Sequence, residues 1–326
     1  MLGVLSGFLV VVIIIALGFL VGRRDLLGPR SVYTLNMFVF WIATPALLVN
    51  FLSRADLGDV FGAHLAVVVT SSLLAGLFGY LGFRYLARRD VPDSLVTLLA
   101  CSYCNGSNLG VPLVTHVLGD PTASLPVIIF QTAVYGPAVV LLLDVSTRRR
   151  SGEVDGGGTA AGRGPGPLVR ELLLGIIRNP LIIAAVAGVI LAALRSTTGW
   201  TLPELIAEPV ATVAGAAVPV ALIAFGMSMA QVRVLGPDSP KRSVWAAALV
   251  KTVVHPLIAY ALARLLFNAS GTALLAFVVV AALPTAQNVF TYSQRFGTNT
   301  VLARDAGVVS TLLSIPSIAV IAVLLG

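Results

Sequence analysis

Long apolar runs, each about the length of a bilayer crossing, alternate with short polar segments along the whole chain. A helix needs roughly twenty apolar residues to cross the hydrocarbon core. That criterion predicts spans near 2–21, 31–53, 61–86, 92–118, 123–147, 169–194, 205–231, 243–267, 272–294 and 300–325. Lipid offers backbone groups no partners, so a helical bundle is the natural solution, and the alternating pattern of an outer-membrane barrel is absent. The expected fold is all-α and integral to the membrane, with ten transmembrane helices.

Composition agrees. Of 326 residues, 57% are hydrophobic and 11% charged, against roughly 25% charged in a soluble domain. The net charge of +7 is mostly arginine and is clustered between the apolar runs. Such clusters encode membrane topology, and no long basic face exists for nucleic acid. Arg23, Arg24 and Arg30, then Arg84, Arg88 and Arg89, then Arg148, Arg149, Arg150, Arg163 and Arg170 follow the first, third and fifth spans. Arg233, Lys241 and Arg242 follow the seventh, and Arg295 and Arg304 flank the turn after the ninth. The positive-inside rule makes these loops cytoplasmic and places both termini outside the cytoplasmic membrane. Residues 2–21 lack the positive start of a cleaved signal peptide and are read as the first span.

Polar, glycine-rich residues 148–168 have the composition of a flexible linker. They divide the chain into 1–147 and 169–326, with five spans each. Five is odd, so the second half enters the membrane inverted. The halves echo one another: Thr44-Pro45 in the second span faces Val218-Pro219 in the seventh. Asn105-Gly106-Ser107-Asn108 with Gly110 and Pro112 interrupts the fourth span, and Pro284 with Gln287 and Asn288 interrupts the ninth. At about 1.5 Å per residue, both interruptions fall roughly 18–20 Å along their spans, near the bilayer middle. Paired interruptions in two inverted halves point to the binding site of a secondary transporter.

Proline removes a backbone donor and glycine relaxes the chain, so each interruption frees N–H and C=O groups at membrane depth. These groups must line a cavity or meet protein. New half-helix N-termini attract anions, and Asn105, Asn108, Gln287, Asn288 and Thr291 add neutral donors and acceptors. Gly106, Pro112 and Pro284 complete the candidate substrate site. Lys251, deep in the eighth span with His255 one turn on, is the candidate cation for an anionic substrate; the bland alternative is a lysine snorkelling to the membrane surface.

The residues Asn105-x4-Gly110-Val111-Pro112-Leu113, Pro284-x3-Asn288 and Arg178-Asn179-Pro180 resemble the auxin efflux carrier family, with its bacterial members and plant PIN-type carriers. The resemblance extends over nearly the whole chain. It implies two inverted five-helix repeats whose fourth and ninth helices cross at proline breaks beside the substrate. The family's crossover asparagine falls on Asn105 and its second crossover proline on Pro284. Two departures stand out. The plant carriers' proline before that asparagine is Cys104 here, and residues 61–86 lack the plant carriers' aspartate.

Other chemistry is thinly represented. Cys101 and Cys104 lack a second cysteine pair and are read as buried thiols on adjacent helical turns, so no metal is expected. His64 and His116 are read as interfacial residues near the outer boundary. Catalytic and nucleotide-binding motifs are absent, so neither catalytic residues nor a cofactor is expected. The sequence predicts a carrier of small organic anions, carboxylates of auxin-like or dicarboxylate type, working by alternating access. A sodium-coupled symporter of related architecture and an intramembrane enzyme are the rival readings. The expected partners are the anion and the lipid bilayer, without nucleic acid; a homodimer stays open as an alternative to a monomer.

Overall fold

The computed structural model describes residues 2–54, 62–150, 174, 177–230 and 234–326. The linker expected at 148–168 and the start of the span expected at 169–194 fall largely outside the described residues. Apart from an isolated two-residue bridge, the regular structure among the described residues is helical. The helices are α1 (Leu2–Arg23), α2 (Ser31–Leu52), α3 (Ala63–Leu86), α4 (Val91–Ser102), α5 (Val111–Leu118) and α6 (Pro121–Arg148). After the linker come α7 (Pro180–Thr198), α8 (Glu204–Ala230), α9 (Lys241–Phe267), α10 (Gly271–Ala282), α11 (Gln287–Arg295) and α12 (Thr300–Leu325). Among the described residues seven of them, α2, α3, α6, α7, α8, α9 and α12, are long and apolar enough to cross a membrane. Shorter apolar helices cover Val12–Arg23, Val91–Ser102 and Gly271–Ala282.

Local sequence explains where the helices start. Asp90 caps α4 by accepting the Asp93 N–H at 3.0 Å, and Asn179 caps α7 by accepting the Leu181 N–H at 2.9 Å. Pro180, in the first turn of α7, has no N–H to leave unpaired. The Arg178-Asn179-Pro180 segment is therefore, at least in part, a helix start.

Prolines inside the spans leave a regular mark. The π-turns Val39–Ala43, Gly106–Gly110, Gln131–Tyr135 and Val250–Val254 each end two residues before a proline: Pro45, Pro112, Pro137 and Pro256. Proline cannot donate to the carbonyl four residues back, and its ring crowds that carbonyl. Widening the preceding turn relieves the clash. In α9 the carbonyl bypassed by Pro256, that of Thr252, accepts the Ser317 hydroxyl at 2.6 Å.

The helices sort into two packed groups. α8 packs on α1 and α2, and α7 on α2. The contact is closest between α1 and α8, where a Cβ on Gly18, Gly22 or Gly226 would land on the opposing backbone. α3 packs on α4 and α9, while α10 packs on α9 and α12. The first group holds α1, α2, α7 and α8; the second holds α3, α4, α6, α9, α10 and α12 together with α5 and α11.

Candidate functional site

The two interruptions meet. α4 stops at Ser102 and helical structure resumes at Gly106; α10 stops at Ala282 and α11 starts at Gln287. In the gaps the chains lie antiparallel, Cys104 opposite Thr285. The Asn105 N–H donates to the Pro284 carbonyl at 2.8 Å, and the Ala286 N–H to the Tyr103 carbonyl at 2.9 Å. Backbone freed from two helices is thus satisfied by pairing across the crossing, as apolar surroundings require. Gly110 is needed for closeness: its φ is ordinary, but a Cβ there would meet Leu283 at 2.8 Å.

Side chains satisfy what the pairing leaves. The Ala100 carbonyl, whose helical partner would be Cys104, accepts the Thr285 hydroxyl at 2.6 Å. The Thr285 N–H in turn donates to Ser310 Oγ at 3.1 Å. Gln131, on the π-turn of α6, addresses both polar groups of Cys104. Its Nε2 donates to the Cys104 carbonyl at 2.8 Å and its Oε1 accepts the Cys104 N–H at 2.7 Å, in the amide orientation that satisfies both. The Ala281 carbonyl, whose helical partner would be Thr285, accepts from Lys251 Nζ at 2.7 Å. Lys251 also lies 3.2 Å from His255 Nδ1, and His255 Nε2 lies 3.3 Å from Ser71 Oγ on α3. With the ammonium donating, Nδ1 accepts and Nε2–H points at Ser71.

Beside the crossing is a cavity of about 190 Å³, lined from both helix groups. Asn36 on α2 and Phe225, Ser228 and Met229 on α8 form one wall. Asn105, Asn108, Thr285 and Gln287 of the crossing, with Arg304 and Thr311 on α12, stand opposite. Asn105 is only 8% exposed, and its backbone N–H and C=O are both used, by Pro284 and Gly110. Its carboxamide hydrogen-bonds to no described residue.

The nine predicted site residues therefore separate. Asn105, Asn108 and Gln287 line the cavity. Pro284 lies in the paired strands, while Gly106 and Pro112 are buried in the packing that shapes the turn. Asn288 is exposed and interacts with the Tyr103 hydroxyl, next to an aromatic group containing Tyr135 and Tyr292. Thr291 is exposed and reaches back to the Gln287 carbonyl at 3.5 Å. Lys251 is fully buried and is absent from the cavity wall. Its Nζ donates to the Ala281 carbonyl at the end of α10.

Two residues escaped sequence reasoning. Arg304 was read as a topology marker, yet it stands on the cavity wall; the available signal was an Arg-Asp pair inside the first turns of an apolar helix. Gln131 carries a carboxamide in the middle of an apolar span, and was passed over because it lies in neither interruption. Cys104 is in the gap and not on a helical turn, though both cysteines are free and buried. His64 is buried against Phe277, ring centroids 4.7 Å apart. Among the described residues no group of three or more His, Cys, Asp or Glu could hold a metal.

Comparison with known proteins finds membrane transport proteins. A family model described as "Membrane transport protein" matches residues 4–159 and 165–322. A "Putative malonate transporter" of Rhizobium meliloti (strain 1021) is 28% identical over 315 residues, covering 94% of this chain and 90% of the relative. "Auxin efflux carrier component 8" of Arabidopsis thaliana is 22% identical over 349 residues, covering 92% and 91%. An "Uncharacterized transporter" of Methanothermobacter thermautotrophicus is 26% identical over 321 residues, with 94% of each covered. A multi-pass helical membrane chain, matched almost end to end by this model, belongs to the auxin efflux carrier family of membrane transport proteins.

Proposed function

We propose that the protein is a secondary carrier that moves a small organic anion across the cytoplasmic membrane by alternating access. One observation carries this reading: a cavity lined from both helix groups, with the carboxamide of Asn105 and a guanidinium on its wall. A ligand held there contacts both groups. Rocking one group against the other then exposes it to one side of the membrane and later to the other.

In this reading the chain has ten spans in two inverted five-helix repeats, 1–147 and 169–326, joined by a cytoplasmic linker at 148–168, and both termini lie outside. The packing supports the repeat. Spans one and two group with six and seven, and spans three to five with eight to ten, each at an offset of five. Asn105, Asn108 and Gln287 contact the substrate directly. Asn288 and Thr291 line the approach, and Gly106, Pro112 and Pro284 fix the crossing. Lys251 holds the end of α10 in place.

The relative named as a malonate transporter supports a carboxylate as substrate. The test is a thermal-shift screen of mono- and dicarboxylates on the purified protein. A ligand at 100 times its Kd stabilises by about 2.7 kcal/mol. A stabilising carboxylate whose effect disappears in Asn105→Ala supports the reading. Stabilisation by none of them, with or without sodium, contradicts it.

A further inference from the structure

We propose that Arg304 is the carboxylate-binding residue of the cavity and sets its preference for anions over neutral molecules of the same shape. The inference rests on the transport reading above and goes beyond it, because it names the charged group and the chemistry it selects.

Arg304 is the only ionisable residue among those lining the cavity. It is held from behind. Its Nε donates to Asp305 Oδ1 at 2.8 Å, and Asp305 is wholly buried on the same helix. The other oxygen of that carboxylate, Oδ2, accepts the Leu235 N–H at 3.2 Å. A buried carboxylate is tolerated only when its oxygens are satisfied in this way. Fixing Nε fixes the plane of the guanidinium. The two Nη groups, with four N–H donors between them, hydrogen-bond to no described residue.

Asn105 supplies an independent pointer to the same cavity: a nearly buried carboxamide without a partner, on the wall that also carries Arg304. An ionised oxygen bound by a guanidinium makes hydrogen bonds about twice as strong as those between neutral groups. A carboxylate on the Nη groups leaves Asn105 and Asn108 to bond the rest of the molecule. Asp305 engages only Nε, so the Nη face stays open to one carboxylate, while a second would meet only carboxamides and hydroxyls.

The experiment is equilibrium binding by calorimetry, using two pairs of probes, malonate with malonamide and phenylacetate with phenylacetamide. Each pair shares a shape and differs in charge. Hydrogen bonds to a charged group are worth enough to favour the anion roughly 10- to 100-fold in the wild type. In Arg304→Gln that ratio should collapse to near unity while the affinity for the amide is kept, which also shows that the cavity is intact. Arg304→Lys should recover part of the ratio, since an ammonium keeps the charge but loses the planar fork. Asn105→Ala should weaken anion and amide alike and leave the ratio standing. If Arg304→Gln, or Arg304→Met where the glutamine variant does not fold, keeps the wild-type ratio, Arg304 is not the anion-binding group although the transport reading survives. If the wild type binds neither anion, both readings fall.

Discussion

The Asn105 carboxamide faces the cavity and hydrogen-bonds to no described residue, so it is available to a ligand. Filling its side by Ala should therefore cost the fold little and the ligand much. Asn105→Ala is expected to lower substrate affinity by roughly tenfold or more with an unfolding temperature close to wild type; binding and melting on the same preparation check both halves. Lys251 is the opposite case. Lys251→Met leaves the Ala281 carbonyl and His255 Nδ1 without the partner they have in the wild type, a loss of roughly 1–3 kcal/mol for each group. It should depress the unfolding temperature and weaken charged and neutral ligands equally. A selective loss of anion binding would show instead that the lysine charge reaches the substrate. Proline, glycine and asparagine clusters made the crossing legible, because those residues change the backbone locally. The placement of Lys251, Gln131 and Arg304 was not legible, because it depends on which helices approach from outside the segment that carries them.

Among the elements, the helices themselves were the most legible. The predicted spans at 31–53, 205–231 and 300–325 reappear as Ser31–Leu52, Glu204–Ala230 and Thr300–Leu325, since bilayer thickness and hydropathy fix them almost alone. What hydropathy cannot give is partner choice. The pairing of α1 with α8 depends on Gly18, Gly22 and Gly226, three small residues that let two backbones touch. Gly226→Leu would drive its Cβ into the backbone of α1 near Ile15 and Phe19. Overpacking of this kind costs typically about 1–3 kcal/mol. The expected result is a lower unfolding temperature in detergent with little change in the affinity of the protein that remains folded. The π-turns were also unread, although four of the five among the described residues end two residues before a proline that the sequence displays; Gly82–Leu86 does not.

At the scale of the whole molecule, the account assigns an orientation and a motion. Orientation rests on arginine placement alone. Cysteine introduced at Gly156 should be protected from an impermeant thiol reagent in intact cells, and cysteine at Asn268 should be labelled; the reverse pattern inverts the topology. The proposed motion rests on the cavity being lined from both helix groups, so that a bound anion contacts each of them. Counterflow in proteoliposomes tests this most directly. Vesicles loaded with the unlabelled anion that most stabilises the protein, and given a trace of labelled anion outside, should accumulate label transiently without any ion gradient. The same vesicles carrying Asn105→Ala should not. Equal accumulation by Asn105→Ala and wild type would contradict a substrate path through the crossing, and absence of counterflow by a wild-type protein that binds the anion would contradict carriage itself.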